Sequence, residues 1–270
     1  MSNHKALEMF GRSGNPSLSA ETFSSSAADA SFVTSAPPAT MTLQGTVNKT
    51  GMLLALVVIS ASYTWAMFFS SGNPAKVIPW AVGGAIAGLV LALITMFKKQ
   101  YSGITAPLYA IAEGLFLGAI SAVFEAQYPG IVIQAVGLTL GTLASLLFLY
   151  KTGIVKTTVN FRLMVTSATM GIGLLYLVSV LMNIFGSAGI GFIHSNGLFG
   201  IGFSLFVVAI AALNLVLDFD FIEQGSEMGA PQYMEWFGAF SLMVTLIWLS
   251  LIHISEPTRQ EAISYAVFCL

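Results

Sequence analysis

The sequence predicts an all-α membrane protein, a bundle of seven transmembrane helices. Composition is the first reason. Hydrophobic residues fill 56% of the 270 positions and charged residues only 8%, against about 25% charged in soluble domains. The second reason is that the apolar residues gather into seven segments of roughly the twenty residues that a helix needs to cross the hydrocarbon. Lipid offers the backbone no hydrogen-bond partner, so such segments must be helical.

Residues 1–45 come first and are rich in Ser, Ala, Thr and Pro, without the sustained apolar core of a signal peptide. This composition cannot build a packed core, so we expect a disordered cytoplasmic tail. A solvated extension and a phosphorylated or partner-binding tail are both compatible with it. The seven segments follow at Gly51–Ser70, Val77–Phe97, Thr105–Phe124, Gly130–Tyr150, Phe161–Phe185, Gly197–Asp218 and from Gln232 onward. Their connections are short, which implies one compact membrane domain over 46–248 and no second domain.

The C-terminus breaks the pattern. Leu249–Leu270, LSLIHISEPTRQEAISYAVFCL, resembles a translated sequencing-library adaptor: a transposon end with its primer in Leu249–Arg259, an index in Gln260–Ala262 and a flow-cell primer in Ile263–Leu270. We therefore expect residues 249–270 to be a non-native tail and the last helix to be truncated near Trp248. Setting that tail aside removes Cys269, the only cysteine, and with it disulfides, thiol catalysis and cysteine metal sites. His253 goes too, leaving His4 and His194. Without Arg259, Glu256 and Glu261 the formal charge moves from −2 to −1, so no basic field for nucleic acid exists.

Basic residues set the orientation. With seven crossings, the tail and the loops after spans two, four and six share one side, which holds Lys5, Arg12, Lys49, Lys98, Lys99, Lys151, Lys156 and Arg162. The other side holds Lys76. That asymmetry places the N-terminus in the cytoplasm. Within the spans, Gly84 with Gly88, Gly114 with Gly118 and Gly137 with Gly141 form G-x-x-x-G pairs, which let helix backbones approach closely. They favour a tight bundle over a wide aqueous channel.

In so apolar a chain the acids stand out. LVLDFDFIEQG (Leu215–Gly225) places Asp218, Asp220 and Glu223 at the end of span six, and a carboxylate at membrane depth costs roughly 2.5–3.5 kcal/mol on insertion scales. At 100° per residue, Asp218 and Asp220 point nearly opposite ways. We assign Asp218 to the bundle interior, on a polar stripe with Asn214 one turn before it and Ser204 near the same line. Asp220 and Glu223 then lie nearer headgroups and water. The alternative is that all three acids merely terminate the span. Glu113, mid-way along span three in YAIAEGLFLGAIS, is read as an ion or proton site or as a protonated packing residue. Glu235 either approaches Asp218 across the short turn or is an exposed acid favoured by the helix dipole.

Catalysis finds little support. Gly202-Phe203-Ser204-Leu205 lacks the closing glycine of a serine-hydrolase motif, and His194 lies in a loop, out of reach as a base. No H-E-x-x-H or Walker pattern occurs. We expect no enzyme and no cofactor.

Four stretches in order carry a family resemblance: MTLQGTVNKTGMLL (Met41–Leu54), AEGLFLGAIS (Ala112–Ser121), FRLMVTSATMGIGLLYLV (Phe161–Val178) and LDFDFIEQG (Leu217–Gly225). Over about Met41–Trp248 the chain resembles the bacterial branch of the Bax inhibitor-1 family. The resemblance implies a seven-helix bundle of Bax inhibitor-1 type in the bacterial cytoplasmic membrane, and a pH-sensitive calcium leak. Animal relatives restrain cell death. It further implies an Asp late in helix six paired with an Asp in helix seven, and the family's D-F-x-x-I pattern falls on Asp218 to Ile222. The second partner is missing, because no Asp occurs from Gln232 to Trp248. Thr245 falls near that position, Glu235 is a differently placed substitute, and the Arg that latches the pair in some members has no counterpart in span two.

Two carboxylates in a low-dielectric site cannot comfortably both ionise, and such a pair titrates as one unit. Calcium prefers several oxygen ligands, which carboxylates, carbonyls and water supply. The expected function is a pH-modulated cation leak, calcium being the permeant ion. Asp218 is the gate and transient calcium ligand, with Glu113, Glu235 and Asp220 as further acids. The alternative is a non-conducting regulator that binds proteases or other membrane proteins within the lipid bilayer.

Overall fold

A computed structural model of the chain describes residues 40–185 and 198–254. The tail ahead of Thr40, with His4, the loop residue His194, and the stretch from residue 255 onward, with Cys269, lie outside them. Among the described residues, seven helices are long and apolar enough to cross a membrane. They are α1 (Leu43–Ser71), α2 (Ile78–Phe97), α3 (Ser102–Gln127), α4 (Ile131–Lys151), α5 (Val159–Ile184), α6 (Leu198–Glu227) and α7 (Met234–Ile254). Each expected span is a helix, and α1, α3 and α6 are longer than hydropathy marks. α1 starts at Leu43 because Thr42 caps it, its side-chain oxygen accepting from Gly45 N at 3.0 Å. α6 runs on to Glu227, so its acids sit inside a helix rather than at its end. α7 ends at Ile254, its last residues belonging to the stretch from Leu249 expected to be a non-native tail.

The helices fall into two compact units, described separately. The first comprises residues 40–134 and 218–244. In it α3 packs against both α1 and α2. Glycine explains how closely. A Cβ on Gly114 would stand 2.5 Å from the Val57 carbonyl oxygen of α1, and one on Gly118 would stand 2.6 Å from Ala61 Cα. From the α2 side, a Cβ on Gly84 would lie 2.6 Å from the Ala112 carbonyl oxygen of α3. Two of the three G-x-x-x-G pairs therefore are helix contacts.

α1 buries a stripe at helical spacing: Thr46, Thr50, Leu53, Val57, Ser60, Thr64 and Phe68. Its hydroxyls return to their own helix, Thr50 Oγ1 donating to Thr46 O at 2.9 Å and Ser60 Oγ to Leu56 O at 2.9 Å. Between α2 and α3, by contrast, the Thr95 and Thr105 hydroxyls share a 2.7 Å hydrogen bond. Glu125 near the end of α3 accepts from Gly130 N at 2.6 Å and Val132 N at 3.1 Å, satisfying donors at the start of α4 that have no partner within their own helix.

The second unit comprises residues 135–185, 198–217 and 245–254 of the described chain. Ile172 of α5 meets Val207 and Ile210 of α6, with Ala168, Tyr176 and Phe203 around them. Gly137 and Gly141 on α4 depart from the expectation. Where a Cβ would stand, no described atom lies within 4 Å, so this pair makes no helix contact among the described residues.

Candidate functional site: the acids of α6 and the start of α7

α6 is exposed near its start, at Leu205 and Phe206, and becomes enclosed further along. Leu215, Val216, Leu217 and Phe221 are all fully buried and together occupy different sides of it. Among them Asp218 is 0% exposed. Asp220 is only 7% exposed, its Oδ2 accepting from Gln224 Nε2 at 2.9 Å. This corrects the expectation that Asp220 lies at the water's edge. Opposite faces mean one buried and one exposed only where a helix has an outside, and here α6 has protein on both. Glu223 is half-buried.

On the same helix, Asn214 is buried one turn before Asp218 and is tied to α5: its Nδ2 donates to Thr169 Oγ1 at 2.7 Å and to Ile210 O at 2.9 Å. Asn214 Oδ1 is buried without a hydrogen-bond partner among the described residues. Ser204 is buried as well. The predicted polar stripe is thus internal.

The turn after α6 is closed by Gly229 at φ 69°, a conformation that favours glycine, with Ala230 N donating to Gly225 O at 3.1 Å. The segment ahead of α1 lies along this turn. Met41 N donates to Ala230 O at 2.6 Å, Ser226 Oγ donates to Met41 O at 3.4 Å, and Thr40 forms an antiparallel bridge with Pro231. Glu235, in the first turn of α7, completes the junction. Its Oε1 accepts from Thr42 N and from Thr42 Oγ1, each at 2.8 Å, and its Oε2 is ion-paired with Lys49 Nζ of α1. Glycine at position 45 leaves room for that carboxylate, which any side chain there would meet. Lys49 also lies over the Trp236 ring, 5.4 Å from its centroid. Glu235 is therefore neither an exposed helix-start acid nor a partner of Asp218; it is buried and held by α1. Sequence reasoning used Lys49 only as an orientation charge. Its being the one charged residue of the first helix was the available signal.

Three elements meet one turn further along α7. A Cβ on Gly238 would stand 3.2 Å from Thr46 Cγ2 of α1, 3.3 Å from Ile222 Cγ1 of α6 and 3.5 Å from Met41 Cε. Ile222 shares a helix face with Asp218, four residues earlier.

Glu113 is placed elsewhere. It packs on α2, where a Cβ on Gly88 would lie 3.1 Å from its Oε1, and its Oε2 is buried without a partner among the described residues. Tyr109, one turn earlier on α3, stacks edge-on against Phe240 of α7 at 5.0 Å. The structure thus sets Glu113 against α2 and Glu235 against α1, and leaves Asp218 with Asp220 on α6. No three His, Cys, Asp or Glu side chains converge as a metal site among the described residues. A cation at Asp218 would complete its shell from carbonyls, hydroxyls and water.

Seven helices long and apolar enough to cross a membrane define an integral membrane protein. The model of the Bax inhibitor 1 like family matches residues 14–253, and the chain belongs to that family. No curated protein and no solved structure matches it.

Proposed function

We propose that the protein is a pH-modulated leak for cations, calcium in particular, across a bacterial cytoplasmic membrane. Its N-terminus is cytoplasmic and its gate is Asp218. The observation that carries this reading is a completely buried carboxylate on a helix of a membrane-spanning chain. Such a group holds its charge only when hydrogen bonds, a cation or a shared proton compensate it. A proton and a passing cation then compete for the same oxygens, which makes permeation depend on pH. Asp220, also buried two residues on, adds a second acid on the same helix. The family membership supports the reading without distinguishing it from others.

Cation flux through the full-length protein in vesicles tests it. Wild type should conduct with a pH-dependent rate, and Asp218→Asn should lose the pH response while keeping its fold. Absence of flux at every pH, with the fold intact, sinks the leak. An unchanged pH profile in the variant removes Asp218 from the gate. A second reading, a non-conducting regulator that binds other membrane proteins, is favoured by the glycine-mediated contacts of α3 with α1 and α2. Absence of flux together with specific capture of a membrane-protein partner would establish it.

A further inference from the structure

We infer that Lys49 and Glu235 form a clasp that holds the Thr40–Thr42 strap over the α6–α7 turn and keeps the gate closed. They act as positioning residues for Asp218. The gating half of this inference rests on the leak reading; the holding half does not.

The pair joins the second turn of α1 to the first turn of α7, which are far apart in sequence. It is nearly withdrawn from water, the side chains being 17% and 4% exposed. Both carboxylate oxygens of Glu235 are occupied, one by Thr42 and the other by Lys49. Thr42 links the two halves of the junction. Its hydroxyl caps α1 and donates to Glu235, while its backbone N–H binds the same oxygen. The strap residue before it, Met41, is 2% exposed; its N–H donates to Ala230 O of the turn and its carbonyl accepts from Ser226 Oγ of α6.

From this clasp a short chain of contacts leads to the gate. Glu235 and Gly238 lie one turn apart on α7. Gly238 is where Thr46, Met41 and Ile222 converge, and Ile222 lies one turn from Asp218 on α6. A helix contact of this kind, built on a glycine with side chains from three elements around it, has little slack. While the clasp is closed, α7 fixes the Ile222 face of α6 and hence the setting of Asp218. Its release frees the strap and the first turn of α7 together, and the cation path opens.

The test pairs a cross-linking readout with a flux readout on the full chain. Thr40 and Pro231 oppose each other across an antiparallel bridge, a relation that brings Cα atoms to roughly 4.5–5.5 Å and within disulfide reach. In a Cys269→Ser background, Thr40→Cys with Pro231→Cys should cross-link readily on mild oxidation. Adding Glu235→Gln or Lys49→Met should slow that reaction by roughly fivefold or more, the lower end of ordinary coupling between sites. In vesicles with an entrapped calcium indicator, the same two substitutions should raise neutral-pH flux by a comparable factor. Lys49→Arg, which preserves the ion pair, should keep flux low.

Unchanged cross-linking in Glu235→Gln and Lys49→Met overturns the clasp, whatever the flux. Faster strap release with flux equal to wild type overturns its role at the gate. If wild type carries no flux at any pH, the leak reading and the gating half fall together, and cross-linking alone decides whether the pair holds the strap.

Discussion

Replacing Gly84 by Ala should separate glycines that set a helix contact from those that do not. The added methyl group would stand 2.6 Å from the Ala112 carbonyl oxygen and 3.0 Å from Phe116 N, both backbone atoms of α3. Neither can rotate aside, so α2 and α3 must part by about 0.8 Å to bring the closer contact to 3.4 Å, the near edge of ordinary contact. Overpacking of this kind costs about 1–3 kcal/mol, and the same shift stretches the 2.7 Å Thr95–Thr105 hydrogen bond. The better helix propensity of Ala returns about 1 kcal/mol at most. Gly137→Ala is the control, since no described atom lies within 4 Å of its Cβ position and only the propensity gain applies. A gap of about 2 kcal/mol between the variants corresponds to roughly 4–8 °C in melting temperature for a chain of this size. Thermal unfolding of the two purified variants in one detergent measures it. Equal melting temperatures would refute the close α2–α3 approach.

Other consequences are equally direct. Glu125→Gln removes the charge that receives Gly130 N and Val132 N; a loss of about 1–2 kcal/mol is expected, seen as faster amide exchange in the first turn of α4. Lys49→Met should destabilise more than Glu235→Gln, because the carboxylate left behind is 4% exposed whereas the ammonium is 17% exposed. Stranding the more deeply buried charge costs on the order of 3 kcal/mol, and chemical denaturation of both variants gives the order. Gly238→Ala asks Thr46 and Ile222 to yield by a few tenths of an ångström, Met41 staying in ordinary contact. A modest loss of stability, about 1 kcal/mol, should therefore accompany an altered pH profile of flux. An unaltered profile would separate this contact from the gate.

Much of the fold was legible because membrane helices announce themselves by length and hydropathy. The boundaries that moved are those governed by caps and by tertiary burial, neither of which hydropathy registers. α1 begins at Leu43 because of the Thr42 hydroxyl, and α6 continues past Asp218 where the protein buries Asp218, Asp220, Phe221 and Ile222. The site was read less well. Asp218 was assigned to the interior by helical geometry, and it is buried. The same geometry exiled Asp220, since a wheel diagram assumes an outside that α6 lacks here. The signal was present in LVLDFDF, where apolar residues flank the acids on every side. Glu235 could not be paired from sequence, because its partners Thr42 and Lys49 are remote from it along the chain. Glycine spacing identified Gly84 and Gly114 but gave no means of discounting Gly137, whose spacing to Gly141 is the same.

The hydroxyls along the buried stripe of α1 have one more consequence. Thr46, Thr50, Ser60 and Thr64 all donate to carbonyls of their own helix, so none of them forms a bond to α3 that must break when the two helices shift. The interface is polar in composition, yet none of these hydroxyls ties the two helices together; the notches at Gly114 and Gly118 govern both how near they come and how little they can slide. α2, by contrast, is tied to α3 directly by the hydrogen bond between Thr95 and Thr105.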